Sequence, residues 1–357
     1  MKVALVHDYL IQDGGAERVF LAMHELFPEA PVFTLFFNPE HVHESFRKMD
    51  VRASRLNRFP FAQTHYQLYL PFMAEATEAM DLSGFDLVLS SSSSFAKGVI
   101  SPSEATHICY CHTPTRFLWE ERSHYVRDLR YPTFVKWFLP GYLHRLRQWD
   151  RIAAERPDAF VTNSRTSRER IRRYYQREAE VIPPPVDVSR ISVSRDPGAY
   201  WLAGGRLVPY KRFDLIVQAF AKLNLPLKIF GEGPERENLE RLAGPKTEFL
   251  GHVDDQVKVQ LYEHAIGFLY PQIEDFGITA VEAMAAGKPV IAYGRGGATE
   301  TVVHGVTGLH FDWQCWEDIG NAVMRFDASR FDPQTIRAHA EQFSKERFQE
   351  RMRQFIA

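Results

Sequence analysis

Residues 267–292 read GFLYPQIEDFGITAVEAMAAGKPVIA. The run Gly267 to Tyr270 is apolar and of strand length, and Pro289 to Ala292 is a second such run. Between them lies a stretch rich in Ala, Val and Met, opened by Gly277 and closed by Gly287. Alanine and methionine propagate a helix well, and glycine ends one at low cost because it enters the left-handed conformation freely. Strand, loop, helix and strand in succession form a βαβ crossover, whose two strands run parallel. An open parallel sheet is therefore expected here.

The same alternation extends in both directions. Upstream, Tyr200 to Ala203, Leu227 to Phe230 and Glu248 to Leu250 read as strands separated by helical patterns. The first half repeats the plan with Lys2 to His7, Pro31 to Phe36, Asp86 to Ser90, His107 to Cys111 and Ala159 to Thr162. A helix is predicted from near Ala16, with Val19, Phe20, Met23, Leu26 and Phe27 on one stripe. Between the halves lies VIPPPVD at 181–187, whose three prolines fix φ and remove donors, so it reads as a stiff connector outside any sheet or helix. The fold class is thus α/β, with two Rossmann-like, doubly wound domains at 1–195 and 196–343. Residues 344–357 form a last helix, capped by Ser344, with Phe348, Met352 and Phe355 on its apolar face. A chain of 357 residues exceeds what one core fills, which agrees with two domains.

Composition narrows the function. Forty-three basic against 45 acidic residues give a net charge of −2, so no global field draws nucleic acid. The three cysteines, Cys109, Cys111 and Cys315, form neither a disulfide framework nor a metal-ligand spacing. The opening MKVALVHDYL lacks the long apolar region of a secretory signal, and no uninterrupted apolar run is long enough to span a membrane. A cytoplasmic protein with at most peripheral membrane contact is expected.

In open α/β sheets ligands bind beyond the carboxyl ends of the strands, often where a helix start offers unpaired N–H groups to an anion. Four loops of this kind stand out. His7 to Glu17 carries Gly14 and Gly15 beside a helix start, although the same pair would serve a plain turn and lacks dinucleotide-fingerprint spacing. Cys109 to Arg116 presents His112 where Pro114 stops a strand. Gly204 to Arg212 places Arg206 and Lys211 on either side of Pro209 before a helix, where two cations can meet one anion. Ile273 to Gly287 holds Glu274 in the loop and Glu282 on an otherwise apolar helix, where an acid needs a partner. Ser90 to Ser94 reads as a further crevice loop.

These residues resemble glycosyltransferase family 4. Glu274 and Glu282 match its motif of two glutamates separated by seven residues, and GRLVPYK at 205–211 is its second mark. The likeness continues through VHDYLIQDGGAERV, ICYCHTP, EVIPPPVD, GEGPE, EFLGHV and ETVVHGVTG. Within the family the chain looks most like the GDP-mannose-dependent mannosyltransferases of bacterial surface-polysaccharide assembly. The resemblance implies a GT-B fold with a central cleft, retention of anomeric configuration, and no metal or cofactor.

It also implies roles. Arg206 and Lys211 would hold the donor diphosphate, Glu282 the ribose and Glu274 the hexose. Backbone N–H groups of Phe276, Gly277 and Ile278 would meet sugar and phosphate, Gly15 would approach the diphosphate, and Val253 would touch the base through its backbone. His112 would contact the donor sugar at the reacting carbon, and the terminal helix would cross back to the first domain. The implied partners are a nucleotide sugar and a polyprenyl-diphosphate-linked oligosaccharide at the inner face of the cytoplasmic membrane. The rival readings are a UDP-hexose donor, a sugar-nucleotide epimerase, and a subunit that only binds. The last would predict loss of Arg206, Lys211 or Glu274, all of which are present. Between Arg116 and Arg156, Phe117, Trp119, Tyr125, Tyr131, Phe134, Trp137, Phe138, Tyr142 and Trp149 interleave with arginines, a mix that suits either a membrane interface or helix cores.

Overall fold

Each expected strand forms, with ends within three residues of the prediction. The computed structural model describes residues 1–120, 133–196 and 198–357, and of 133–138 the helical backbone. The chain divides into two units, 1–183 with 349–357, and 184–348.

The first unit is built on seven parallel strands, β1 (Val3–Leu10), β2 (Val32–Phe37), β3 (Val51–Ala53), β4 (Leu87–Ser92), β5 (Thr106–Cys111), β6 (Ala159–Thr162) and β7 (Glu180–Val181). Their order is β3-β2-β1-β4-β5-β6-β7. The second unit has β8 (Tyr200–Gly204), β9 (Leu227–Phe230), β10 (Thr247–Gly251), β11 (Ala265–Tyr270), β12 (Val290–Tyr293) and β13 (Gly308–Phe311), ordered β10-β9-β8-β11-β12-β13. In both, strand order reverses beside the first strand, between β1 and β4 and between β8 and β11. That reversal is the switch point where loops diverge and a ligand finds room.

Three expectations are corrected. Ser90 to Ser92 belong to β4 and are buried rather than forming a loop, and the first two hydroxyls find side-chain partners: Ser90 Oγ pairs with His107 at 2.8 Å, and Ser91 Oγ with two histidines described below. The connector at 181–187 is not wholly outside the sheet. Val181 precedes the prolines and pairs with Thr162, and Ile182 N donates to Thr162 O at 2.9 Å. The boundary falls at Pro183 rather than near 195, since Val186, Val188 and Ile191 are buried in the core of the second unit. The edge strands β3, β7 and β13, which are too short to show periodicity, escaped the sequence reading.

The terminal helix Lys345–Ile356 is capped by Ser344 Oγ, which accepts from Arg347 N at 3.3 Å. Phe348 and Met352 are buried. Residues from Gln349 onward belong to the first unit, where Gln349 Nε2 donates to Ala22 O at 3.1 Å.

A buried charge organises the first unit behind its sheet. Asp150, 1% exposed, lies on the helix Thr133–Ala153 and receives Lys97 Nζ at 2.6 Å, Thr115 Oγ1 at 2.7 Å, Trp119 Nε1 at 2.7 Å and Tyr175 Oη at 2.9 Å. Lys97 is equally buried and also donates to Ser94 O. The carboxylate therefore ties the segment after β4, the loop after β5 and two helices together. Removing one partner of such a pair leaves the other buried and uncompensated, at a cost of about 3–5 kcal/mol. Asp150→Ala should lower stability by that amount in urea unfolding, whereas the double change Lys97→Met with Asp150→Leu should recover a large part of it. A loss under about 1 kcal/mol in Asp150→Ala would show that the hub is not structural.

Candidate functional site

In the second unit the loops after β8 and β11 emerge on either side of the switch point. Lys211 comes from the first and Glu274 from the second, and Lys211 Nζ stands 2.9 Å from Glu274 Oε1. The ammonium is 12% exposed and the carboxylate 21%, so the pair is only partly screened by water.

Two glycines make this arrangement possible. Gly205 has φ +131°, and a methyl group there would lie 3.1 Å from Lys211 Nζ. Gly277 has φ +99°, and a methyl there would come within 2.8 Å of Tyr270 Oη. That hydroxyl donates to Glu274 Oε2 at 2.5 Å. Burial, then the Glu274 charge, pushes the Tyr270 phenol well above its ordinary pKa, so it acts as a donor. Glu274 is therefore oriented from both sides. Its backbone carbonyl is also held, accepting from Gly297 N at 2.8 Å.

Gly277 caps the helix Ile278–Ala285 from the left-handed region without a side chain. The N–H groups of Phe276, Gly277 and Ile278 have no backbone acceptor among the described residues. A helix start of this kind favours an anion. The Arg206 side chain is exposed, and its guanidinium has no ion-pair or hydrogen-bond partner among the described residues. Its neighbour Arg212 is instead committed to Asp214, with Nη2 at 3.0 Å from Oδ2.

Glu282 sits apart from this cluster. It is buried, accepting from Lys258 Nζ at 3.0 Å and from Tyr262 Oη at 2.9 Å. Val253 is half-buried against the core of the same unit.

In the first unit, β1, β4 and β5 bring a second polar cluster to their carboxyl ends. His7 and Ser91 are register partners on β1 and β4, and His112 follows β5 directly. Ser91 Oγ lies 3.1 Å from His7 Nδ1 and 2.8 Å from His112 Nε2. Burial pushes the His112 imidazole down to about 3, helped by the His7 charge and opposed by Glu17. His112 is therefore neutral at physiological pH.

Asp8 anchors the loop beside this cluster. Its carboxylate accepts from the N–H groups of Ser93, Ser94, Phe95 and Ala96 at 2.6, 2.9, 2.8 and 2.6 Å. Gly15 is exposed at the first turn of the helix Gly15–His24.

The sequence reading named Lys211, Glu274 and Glu282 but not the groups that orient them. Tyr270 closes an apolar run and reads as core. Lys258 and Tyr262 lie in a stretch to which the sequence assigns no role, and Ser91 sits in a serine run that reads as a loop. The one available signal was an acid on an apolar helix, which required partners for Glu282. Of the aromatic stretch, Tyr125 and Tyr131 and the side chains of Phe134, Trp137 and Phe138 lie outside the described residues. Phe117, Trp119, Tyr142 and Trp149 pack against the core of the first unit.

The architecture is that of solved GT-B proteins. Sucrose-phosphate synthase from Thermosynechococcus elongatus superposes with a TM-score of 0.76 at 18% identity, over 100% of this chain and 98% of that one. The Anabaena protein HepE, solved in complex with UDP-glucose, gives 0.71 at 17% identity, over 100% and 99%. Residues 13–190 match the model of Glycosyltransferase Family 4, and residues 189–346 that of Glycosyl transferases group 1. The chain belongs to glycosyltransferase family 4.

Among its relatives, the D-rhamnosyltransferase WbpZ of Pseudomonas aeruginosa is 30% identical over 194 residues, 51% of each chain. A GDP-mannose-dependent alpha-(1-6)-phosphatidylinositol monomannoside mannosyltransferase of Mycobacterium tuberculosis is 34% identical over 176 residues, 40% of this chain and 45% of that one. In these matches the chain spans about half the length of the curated relatives.

The ion pair yields opposed expectations for its two members. Lys211→Ala removes a cation at the anion site and should lower turnover by about 10²- to 10³-fold, as loss of one fixed charge-stabilising donor does. Glu274→Gln frees the ammonium, so free nucleoside diphosphate should bind about threefold tighter while turnover falls. Glu282→Gln should weaken nucleotide and donor alike. Turnover assays and calorimetric titration of the three variants check this, and weaker nucleotide binding in Glu274→Gln would contradict the pairing.

Proposed function

We propose that the chain is a hexosyltransferase that moves mannose from GDP-mannose to a polyprenyl-diphosphate-linked oligosaccharide, with retention and without a metal. The observation that carries this reading is the Lys211–Glu274 pair beside the open helix start at Gly277, with the unpartnered guanidinium of Arg206 in the same loop as Lys211. Breaking a glycosyl phosphate bond moves negative charge onto the diphosphate. Fixed cations and helix-terminal N–H groups stabilise that charge without reorganising.

In this reading Arg206 and Lys211 hold the diphosphate, and Phe276, Gly277 and Ile278 offer N–H groups to sugar and phosphate. Glu274 orients a hexose hydroxyl, Glu282 hydrogen-bonds the ribose, and Val253 meets the base. GDP-mannose is favoured by the family resemblance and by the mannosyltransferase among the relatives.

A lipid-linked acceptor calls for peripheral membrane contact. Exposed Phe59, Phe61, Leu68 and Phe72, close in sequence to exposed Arg55 and Arg58, support it. Apolar and basic side chains together suit the headgroup boundary. Among the described residues no helix is long and apolar enough to cross a membrane.

Nucleotide release should be measured with a panel of sugar nucleotides, with and without a polyprenyl-linked acceptor extract. Acceptor-dependent release of GDP from GDP-mannose is expected. Faster release of UDP from a UDP-hexose would move the donor to that class, and isomerised donor without acceptor would indicate an epimerase. The protein should sediment with anionic liposomes at low salt and be released at high salt, and no sedimentation at either would contradict the membrane contact.

A further inference from the structure

The loops after β11, β12 and β13 of the second unit are fastened side by side. Gly297 N donates to Glu274 O at 2.8 Å, and Gly296, at φ +67°, lies so close that a methyl group there would come within 2.8 Å of the same carbonyl. Gly294 N donates to Phe311 O at 2.9 Å, and Phe311 stacks on Tyr293 at 5.5 Å. Gln314 Nε2 then reaches back to Pro271 O at 2.8 Å. Three successive carboxyl-end loops therefore form one ledge that begins at Glu274 and ends at Trp313.

Trp313 is 74% exposed, and its indole makes no hydrogen bond or ring contact among the described residues. Its backbone is nonetheless fixed. Trp313 N donates to Asp318 Oδ2 at 2.9 Å, and Trp313 O accepts from Cys315 N at 2.7 Å. An indole held out on a fixed backbone offers a wide apolar face with only two torsions to order. The other exposed side chains of the ledge are mixed in kind. Ile273 is 40% exposed, and Arg295 and Asp312, both exposed, have no ion-pair or hydrogen-bond partner among the described residues.

We infer that this ledge is a sugar subsite, on which Trp313 stacks a neutral pyranose of the acceptor while Asp312 and Arg295 bond its hydroxyls. A pyranose has a face of C–H groups and a rim of hydroxyls that both donate and accept. The indole matches the face. A carboxylate that only accepts and a guanidinium that only donates match the rim. The charges of Arg295 and Asp312 cancel, and exposed Glu317 adds a negative one, so the ledge has nothing to hold an anionic lipid surface.

The inference rests on the proposed transfer, which supplies the acceptor. Strand β12 lies between β11 and β13, which sets the bases of the outer two loops roughly 10 Å apart. That is farther than the single hexose at Glu274 extends, so the ring on Trp313 belongs to the other substrate.

Indole ¹H–¹⁵N spectra of the whole chain, with the Trp313 signal identified by its absence in Trp313→Phe, read the subsite directly. Mannotriose, maltotriose and chitotriose, added in turn at millimolar concentration, differ in hydroxyl orientation. At least one should move the Trp313 signal and saturate, and the double change Arg295→Ala with Asp312→Ala should weaken that binding severalfold. A Trp313 signal that no trisaccharide moves overturns the subsite. So does one that moves only with anionic phospholipid vesicles, which marks a membrane contact, or only with protein concentration, which marks a second copy.

Kinetics give the second readout. Trp313→Ala should raise the KM for the polyprenyl-linked acceptor about tenfold, as loss of a central aromatic contact does, with kcat and the donor KM moved by less than about twofold. Trp313→Phe, which keeps a smaller ring, should fall between the two. An unchanged acceptor KM in Trp313→Ala, or a loss confined to kcat, overturns the acceptor assignment. If the unaltered protein transfers no hexose from any sugar nucleotide, the proposed function fails, while the trisaccharide titrations still decide whether the ledge binds sugar.

Discussion

Every strand pairing in both sheets is parallel, and this constrains everything else. Parallel strands all release their chain at the same edge, so the loops that carry chemistry are gathered there whatever their distance in sequence. Reversal of strand order then parts the loops beside β1 and β8. Lys211 and Glu274, 63 positions apart by subtraction of their numbers, meet at 2.9 Å because β8 and β11 are neighbours across that reversal. His7, Ser91 and His112 are brought together by the same geometry in β1, β4 and β5.

Each unit must then keep polar groups at a sheet end that is largely buried. An unpaired buried charge would cost several kcal/mol, so each one has partners. Glu274 has Lys211 and Tyr270, Glu282 has Lys258 and Tyr262, and Asp8 has four backbone N–H groups. These partners also fix direction. Tyr270 limits where the Glu274 carboxylate can turn, and the space for that tyrosine exists because Gly277 has no side chain. Positive φ at a helix start, a phenol and a carboxylate are therefore one device.

Much of this was legible in the sequence, for physical reasons that differ by residue. Gly277 and Gly287 bracket a run of helix formers, and both have positive φ, so the βαβ unit could be read from them. Glu282 announced itself as an acid among alanines. The end of β1 was placed too early, because His7 and Asp8 interrupt an apolar run and look like the start of a loop. They remain in the strand because Asp8 is fully hydrogen-bonded and His7 pairs with Ser91. Ser91 and Tyr270 were hidden for the converse reason. A serine run resembles a loop and a tyrosine after an apolar run resembles core, and only tertiary pairing distinguishes them. The connector misled because proline governs its own φ and the residue before it, whereas Val181 lies two positions ahead of the first proline and stays free to join β6.

On the proposed function, the loops after β8 and β11 form a site for a diphosphate. This is tested most directly by calorimetric titration of the protein with a nucleoside diphosphate and with the matching monophosphate, for guanosine and uridine alike. We expect at least one base for which the diphosphate binds about tenfold tighter or more, a difference of about 1.4 kcal/mol that two cations and a helix start readily supply. In the Arg206→Ala, Lys211→Ala double variant that advantage should vanish while monophosphate binding persists. Equal affinity for mono- and diphosphate in the unaltered protein, or an advantage that survives in the double variant, would contradict it.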